Sequence, residues 1–106
     1  MAPVQVERTL VKSPPELWTE ISTDEALGRW LGDVTVQSAE APGRLEWRRS
    51  DSTGVIELEA SGWGTTVRAV AKAKGVPWER VNAHRELERC LESLLDHLGA
   101  SSLQRG

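Results

Sequence analysis

The chain has 106 residues, a formal net charge of −3, one cysteine, and five tryptophans with no phenylalanine or tyrosine. That length suits one domain with a single core, and the lone Cys90 excludes an internal disulfide. The acidic balance argues against nucleic acid as a partner, because Arg48-Arg49 and Lys72/Lys74 are too short and scattered to make a positive field.

Val4 to Lys12 alternates, with Val6 and Leu10 on one side and Gln5, Glu7 and Thr9 on the other, as a half-buried strand does. Arg8 falls on the apolar side. Ser13-Pro14-Pro15-Glu16 has the form of a capping box, and a short helix should follow to about Ile21. Ser22 or Thr23 caps a second short helix over Asp24 to Leu31, where Asp24 and Glu25 favour the positive end of the dipole and Gly32 stops it. Val34 and Val36 alternate with Thr35 and Gln37, and Ala41-Pro42-Gly43 marks a turn. Leu45 and Trp47 alternate with Glu46 and Arg48, and Ser50 to Gly54 reads as a hairpin turn. Ile56, Leu58 and Ala60 share one face of the next strand, and Ser61-Gly62-Trp63-Gly64 turns into another. There Val67, Ala69, Ala71 and Ala73 face one way, and Arg68, Val70 and Lys72 the other. Lys74-Gly75-Val76-Pro77 leads into a long helix, Trp78 to Leu98, with Leu87, Leu91, Leu94, Leu95 and Leu98 on one face.

The order is thus β–α–α–β–β–β–β–α. Short turns imply antiparallel pairing, and one sheet covered by the last helix makes a two-layer α+β domain spanning 1–106, with a frayed tail over 99–106.

In VERTLVKSPPELWTEISTDEALGRWLGD (Val6 to Asp33), a strand runs into a Pro-containing helix start, then Trp18, a Thr23-Asp24 cap and Trp30. In GVIELEASGWGTTVRAV, Gly64-Thr65 opens the last strand. Together with the closing helix, these features resemble the SRPBCC superfamily, also called START-like or birch-pollen-allergen-like, which has the helix-grip fold. The resemblance spans nearly the whole chain and carries no catalytic signature. It implies a sheet wrapped against the C-terminal helix with a ligand cavity between them. One hairpin of the family's longer sheet is missing here, so a shortened member with about five strands and a reduced cavity is expected.

Six residues are candidates to line that cavity. His84 shares the stripe of Leu87 and Leu91, so it is a candidate acid/base or polar contact; the alternative is a buried histidine satisfied by a backbone carbonyl or a water. Arg8 could hold a ligand carboxylate or phosphate, or form a structural ion pair. Trp30 and Trp47 could stack on a flat ligand or serve as plain core, with Leu58 and Leu87 beside them. Trp63 and Trp78 fit a cavity mouth or an interface, or simply cap the ends of the core. The Ala-rich last strand favours close helix–sheet approach over empty volume. His84 and His97 have no metal-ligand spacing, and no phosphate loop or nucleophile elbow occurs, so neither a catalytic residue, a metal nor a cofactor is assigned.

Three functions compete. The first is a small binding module for a compact apolar or aromatic molecule. The resemblance also admits a polyketide cyclase/dehydrase-like enzyme. It admits too an interaction domain related in shape to activators of a heat-shock chaperone ATPase, pairing with a partner or as a homodimer through an exposed edge or groove. MAPVQVERTL lacks a signal core, and no run nears the ~20 apolar residues of a membrane span, so a soluble cytoplasmic protein without membrane contact is expected.

Overall fold

A computed structural model describes residues 3–40, 43–62, 64–75 and 77–103, with the side chains of 77–80 and 99–103 left aside. The elements are β1 (Val4–Leu10), α1 (Pro14–Ile21), α2 (Asp24–Leu31), β2 (Thr35–Glu40), β3 (Arg44–Arg49), β4 (Ser52–Ser61), β5 (Gly64–Ala73) and α3 (Pro77–Leu103). This is the expected order. The five strands form one sheet in the order β1-β5-β4-β3-β2, with every pair antiparallel. Helix α3 lies over β1 and β5, α2 packs beside it, and α1 reaches β4. The result is an α+β fold of helix-grip type.

Local chemistry explains the boundaries. Ser13 donates both its backbone N–H and its hydroxyl to the Glu16 carboxylate, at 3.3 Å each. Thr23 Oγ1 accepts from the Ala26 N–H at 3.1 Å and starts α2, and Gly32, with φ 79°, stops it. Arg49 then locks α2 to the sheet. Its guanidinium donates to the Leu31 carbonyl at 2.7 Å, one of the orphan carbonyls at the helix end. It also grips both carboxylate oxygens of Asp51, at 2.9 and 3.1 Å.

The turn expected over Ser50 to Gly54 is shorter than that. Arg49 pairs with Ser52, so only Ser50 and Asp51 turn the chain, and Ser52, Thr53 and Gly54 belong to β4. Ser52 is buried and its hydroxyl reaches Asp51 at 3.1 Å. Gly64 and Thr65 have structural work. A side chain at Gly64 would collide with the Leu10 carbonyl, so glycine permits the close approach of β5 to the end of β1. The Thr65 hydroxyl donates to the Lys12 carbonyl at 2.6 Å.

The Arg49 hydrogen bonds hold the Asp51 carboxyl below the usual carboxylate range. Stability from this contact is therefore complete above about pH 4, the unfolded value, and is lost as pH falls through the lower folded value. Asp51 is half exposed, so the expected gap between wild type and Asp51→Asn is about 0.5–1 kcal/mol at neutral pH. Urea melts at pH 7 and near pH 2 check this, because the gap should close in acid.

Candidate functional site

The sheet's inner face carries Val4, Val6, Leu45, Trp47, Ile56, Leu58, Val67, Ala69 and Ala71, all buried. The helices supply Leu17, Ile21, Leu27, Leu31, Leu87, Leu91, Leu94, Leu95 and Leu98, each at most 2% exposed. Among the described residues, this layer is close-packed side chains.

The six candidates fall in different places. Leu58 and Leu87 are ordinary core members. Trp47 is 1% exposed and registers with Gly54 on β4. Its Nε1 is buried and has no hydrogen-bond partner among the described residues. His84 is 9% exposed, and its Nε2 accepts the Ala73 N–H at 3.0 Å. The histidine therefore serves a strand-end amide, where a carbonyl or a water was expected. As the acceptor, Nε2 carries no proton, which places the ring proton on Nδ1. Ala73 lies two residues beyond Ala71, which registers with Gly54, so Trp47 and His84 do approach one end of the sheet.

Trp30 does not join them. It packs against the His97 ring, with centroids 5.0 Å apart and planes tilted by 38°. His97 is thirteen residues beyond His84, about 20 Å along the helix axis. Arg8 points inward as its alternation indicates, but the flank of α3 meets it there. It pairs with Glu92 at 3.1 Å and with Asp96, so the geometry is the structural ion pair. Trp63 and the side chain of Trp78 lie outside the described residues.

Replacing His84 with alanine is expected to cost about 2 kcal/mol, because the Ala73 N–H loses its acceptor in a buried setting. Faster hydrogen exchange at the Ala73 amide, with a lower urea midpoint, would check it. An unchanged Ala73 amide would sink the assignment.

Among the described residues, several hollows lie on the surface. Where α1, α2 and α3 meet, Glu20 bridges Lys12 at 3.1 Å and His97 at 3.7 Å beside Trp30, around a hollow of about 180 Å³. A groove of about 370 Å³ runs between Pro3–Gln5 and the first turns of α3. A polar cleft of about 410 Å³ lies among Asp33, Thr35, Arg48, Arg49, Ser50 and Lys74. A depression of about 340 Å³ lies on the outer face of the sheet. Its centre is the cross-strand pair Val55 and Val70, and its rim includes Glu46, Arg48, Thr53 and Lys72. Sequence reasoning put Val70 on the outer side without giving it a role; the signal was two valines in positions where alternation calls for polar residues. No group of three or more His, Cys, Asp or Glu is placed to hold a metal among the described residues.

No family model matches the sequence, and no curated protein does. Solved structures do match. The chain is similar to the protein XoxI from Bacillus cereus, with a TM-score of 0.76 at 12% identity, covering 97% of this chain and 96% of that one. It is similar to the Aha1 dimer from Colwellia psychrerythraea, with a TM-score of 0.69 at 15% identity over 93% of this chain and 94% of that one. Protein BH1534 from Bacillus halodurans gives a TM-score of 0.69 at 15% identity, over 90% and 91%. At such identities, what these proteins share with the chain is the fold: an antiparallel sheet closed by a C-terminal helix.

Proposed function

We propose that this chain is a non-catalytic interaction module, a one-domain, shortened member of the SRPBCC superfamily that works through its surface. The carrying observation is the contrast between the two faces of the sheet. The inner face is filled by helix side chains, and the outer face presents an apolar centre in a charged frame. The residues that would serve a cavity are already engaged, Arg8 with Glu92 and Asp96, and His84 with Ala73. Similarity to a protein that forms an Aha1 dimer supports the reading. No helix among the described residues is long and apolar enough to cross a membrane, and the acidic composition supports a module with no nucleic-acid role; we place it in the cytoplasm as part of the same proposal.

One observation favours a second reading, the compact apolar or aromatic ligand. The orphan Nε1 of Trp47 is a buried donor that a small acceptor could satisfy. Thermal melts across a panel of compact apolar and aromatic compounds separate the two. The interaction module predicts no rise in Tm. A saturable rise of several degrees, with quenching of the buried tryptophan, would establish the ligand reading instead.

A further inference from the structure

The outer face of the sheet is a regular grid. Across the strands, one row holds Thr35, Arg48, Thr53 and Lys72. The next holds Ser38, Glu46, Val55, Val70 and Gln5. The third holds Glu40, Arg44, Glu57, Arg68 and Glu7, and beyond it lie Glu59 and Thr66.

Charge is sorted along this grid. The first row is basic, and neither Arg48 nor Lys72 has an ion-pair partner among the described residues. The far end carries four carboxylates, Glu7, Glu40, Glu57 and Glu59, against two arginines that are already bonded within the face. Arg44 reaches Glu57 at 2.9 Å and Arg68 reaches Glu7 at 2.9 Å. Between the ends, Val55 and Val70 form the apolar centre. The face therefore has a positive end, an apolar middle and a negative end, all on one side of one sheet.

A surface of this pattern is complementary to itself. A two-fold axis lying across the strands through the valine row sets valines on valines, and brings Glu46, whose charge Arg44 meets at 3.3 Å, near its own copy at the rim. The same operation lays the basic end of each copy over the acidic end of the other. Such a contact is isologous and closes at two copies. The two-fold alone would set Arg48 over Arg44 and Lys72 over Arg68, and the roughly 30° angle usual between stacked sheets offsets each cation from that arginine toward a carboxylate on the neighbouring strand of the partner. The face measures roughly 20 by 30 Å from strand spacing and rise, about 600 Å² a side, the lower end of a standard interface.

The edges are less suited. The β2 edge is bulged between Val36 and Ser38, and its Val36 N–H is already donated to Asp24 at 2.7 Å. The β1 edge has α3 against it.

We infer that the partner is a second copy of this chain, docked face to face through the outer surface of the sheet with the strands of the two copies antiparallel. This rests on the interaction reading for the kind of partner, but it has its own test.

Sedimentation velocity on the full chain, from low micromolar to about 0.5 mM, should show a monomer–dimer equilibrium that weakens at high salt. Val55→Glu should weaken it at least tenfold while leaving the circular dichroism spectrum and the Tm of the dilute monomer near wild type, because Val55 is half-buried on the outer face. The pair Arg48→Glu/Lys72→Glu and the pair Glu57→Lys/Glu59→Lys should each be monomeric alone, and an equimolar mixture of the two should dimerise. A wild-type chain that stays monomeric throughout overturns the inference and leaves the face to a different protein. A dimer that survives Val55→Glu overturns it, and so does a mixture that fails to pair. An interior ligand found by the thermal panel would remove the interaction reading without touching this result.

Discussion

Gly54→Ala is expected to destabilise the protein by about 3 kcal/mol, the upper end of the usual cost of overpacking. The sign is the unusual part. A glycine replaced by alanine in extended backbone commonly gains about 0.4–1 kcal/mol, because the unfolded chain loses freedom. Here the added methyl would stand 2.3 and 2.4 Å from two atoms of the Trp47 indole and 2.7 Å from the Val70 carbonyl oxygen. Trp47 is fully buried and has no room to swing aside, and the carbonyl belongs to the neighbouring strand. Urea denaturation gives the size of the effect. The Trp47→Leu background gives its cause, since the cost of Gly54→Ala should shrink to about 1 kcal/mol or less once the indole is gone. A cost that stays whole in that background would show that the ring is not what forbids a side chain at this position.

Leu87→Ala is the second large effect, expected at about 4 kcal/mol within the 2–5 kcal/mol seen for buried leucines. Leu87 has no exposed surface, and it sits on the inner stripe of α3 with Leu91 and Leu94. The magnitude bears on function. A leucine lining a hollow would surrender few contacts, and its loss would fall at the low end of that range. A leucine in a filled layer leaves a new apolar void. Benzene should then raise the Tm of the Leu87→Ala variant by entering that void, and leave wild type unmoved. A cost near 2 kcal/mol with benzene stabilising wild type would place a pre-existing cavity beside α3.

Much of the fold could be read from the residues, because it is encoded locally. Period-two alternation, the Ser13–Glu16 capping pair, the Thr23 cap and the leucine stripe each specify an element without help from distant parts of the chain. The candidate site was less legible, for reasons that are tertiary. Alternation puts Arg8 on the inner side, but only the passage of Glu92 and Asp96 over β1 decides that it forms an ion pair. The inward faces of Trp30 and His84 make both candidates to line one cavity. A helix stripe fixes direction around the axis, whereas partners are also separated along it, and the crossing of α2 and α3 put Trp30 beside His97. Ser52 to Gly54 reads as a polar turn, yet a buried serine and a glycine under an indole are strand residues whose reasons lie on neighbouring strands. Which amide His84 would serve could not be read at all, since Ala73 comes to it through the turn into α3.

The order of the sheet has a consequence in time. The strand β1 is synthesised before the other four strands, and its sheet partner among the described residues, β5, begins 54 residues after β1 ends. At translation rates of 5–20 residues per second, that interval is roughly 3–10 s, while a hairpin closes within microseconds. The β2–β5 meander can assemble as its residues emerge, each strand beside the one before. The N-terminal strand must wait, and it then closes the longest loop in the sheet. During that wait β1 is an unpaired strand, which the exposed β5 edge of another copy can take in the same register. Crowded or slow synthesis should therefore yield some strand-exchanged pairs, held by the same Val6–Ala69 and Arg8–Val67 pairings that complete the monomer.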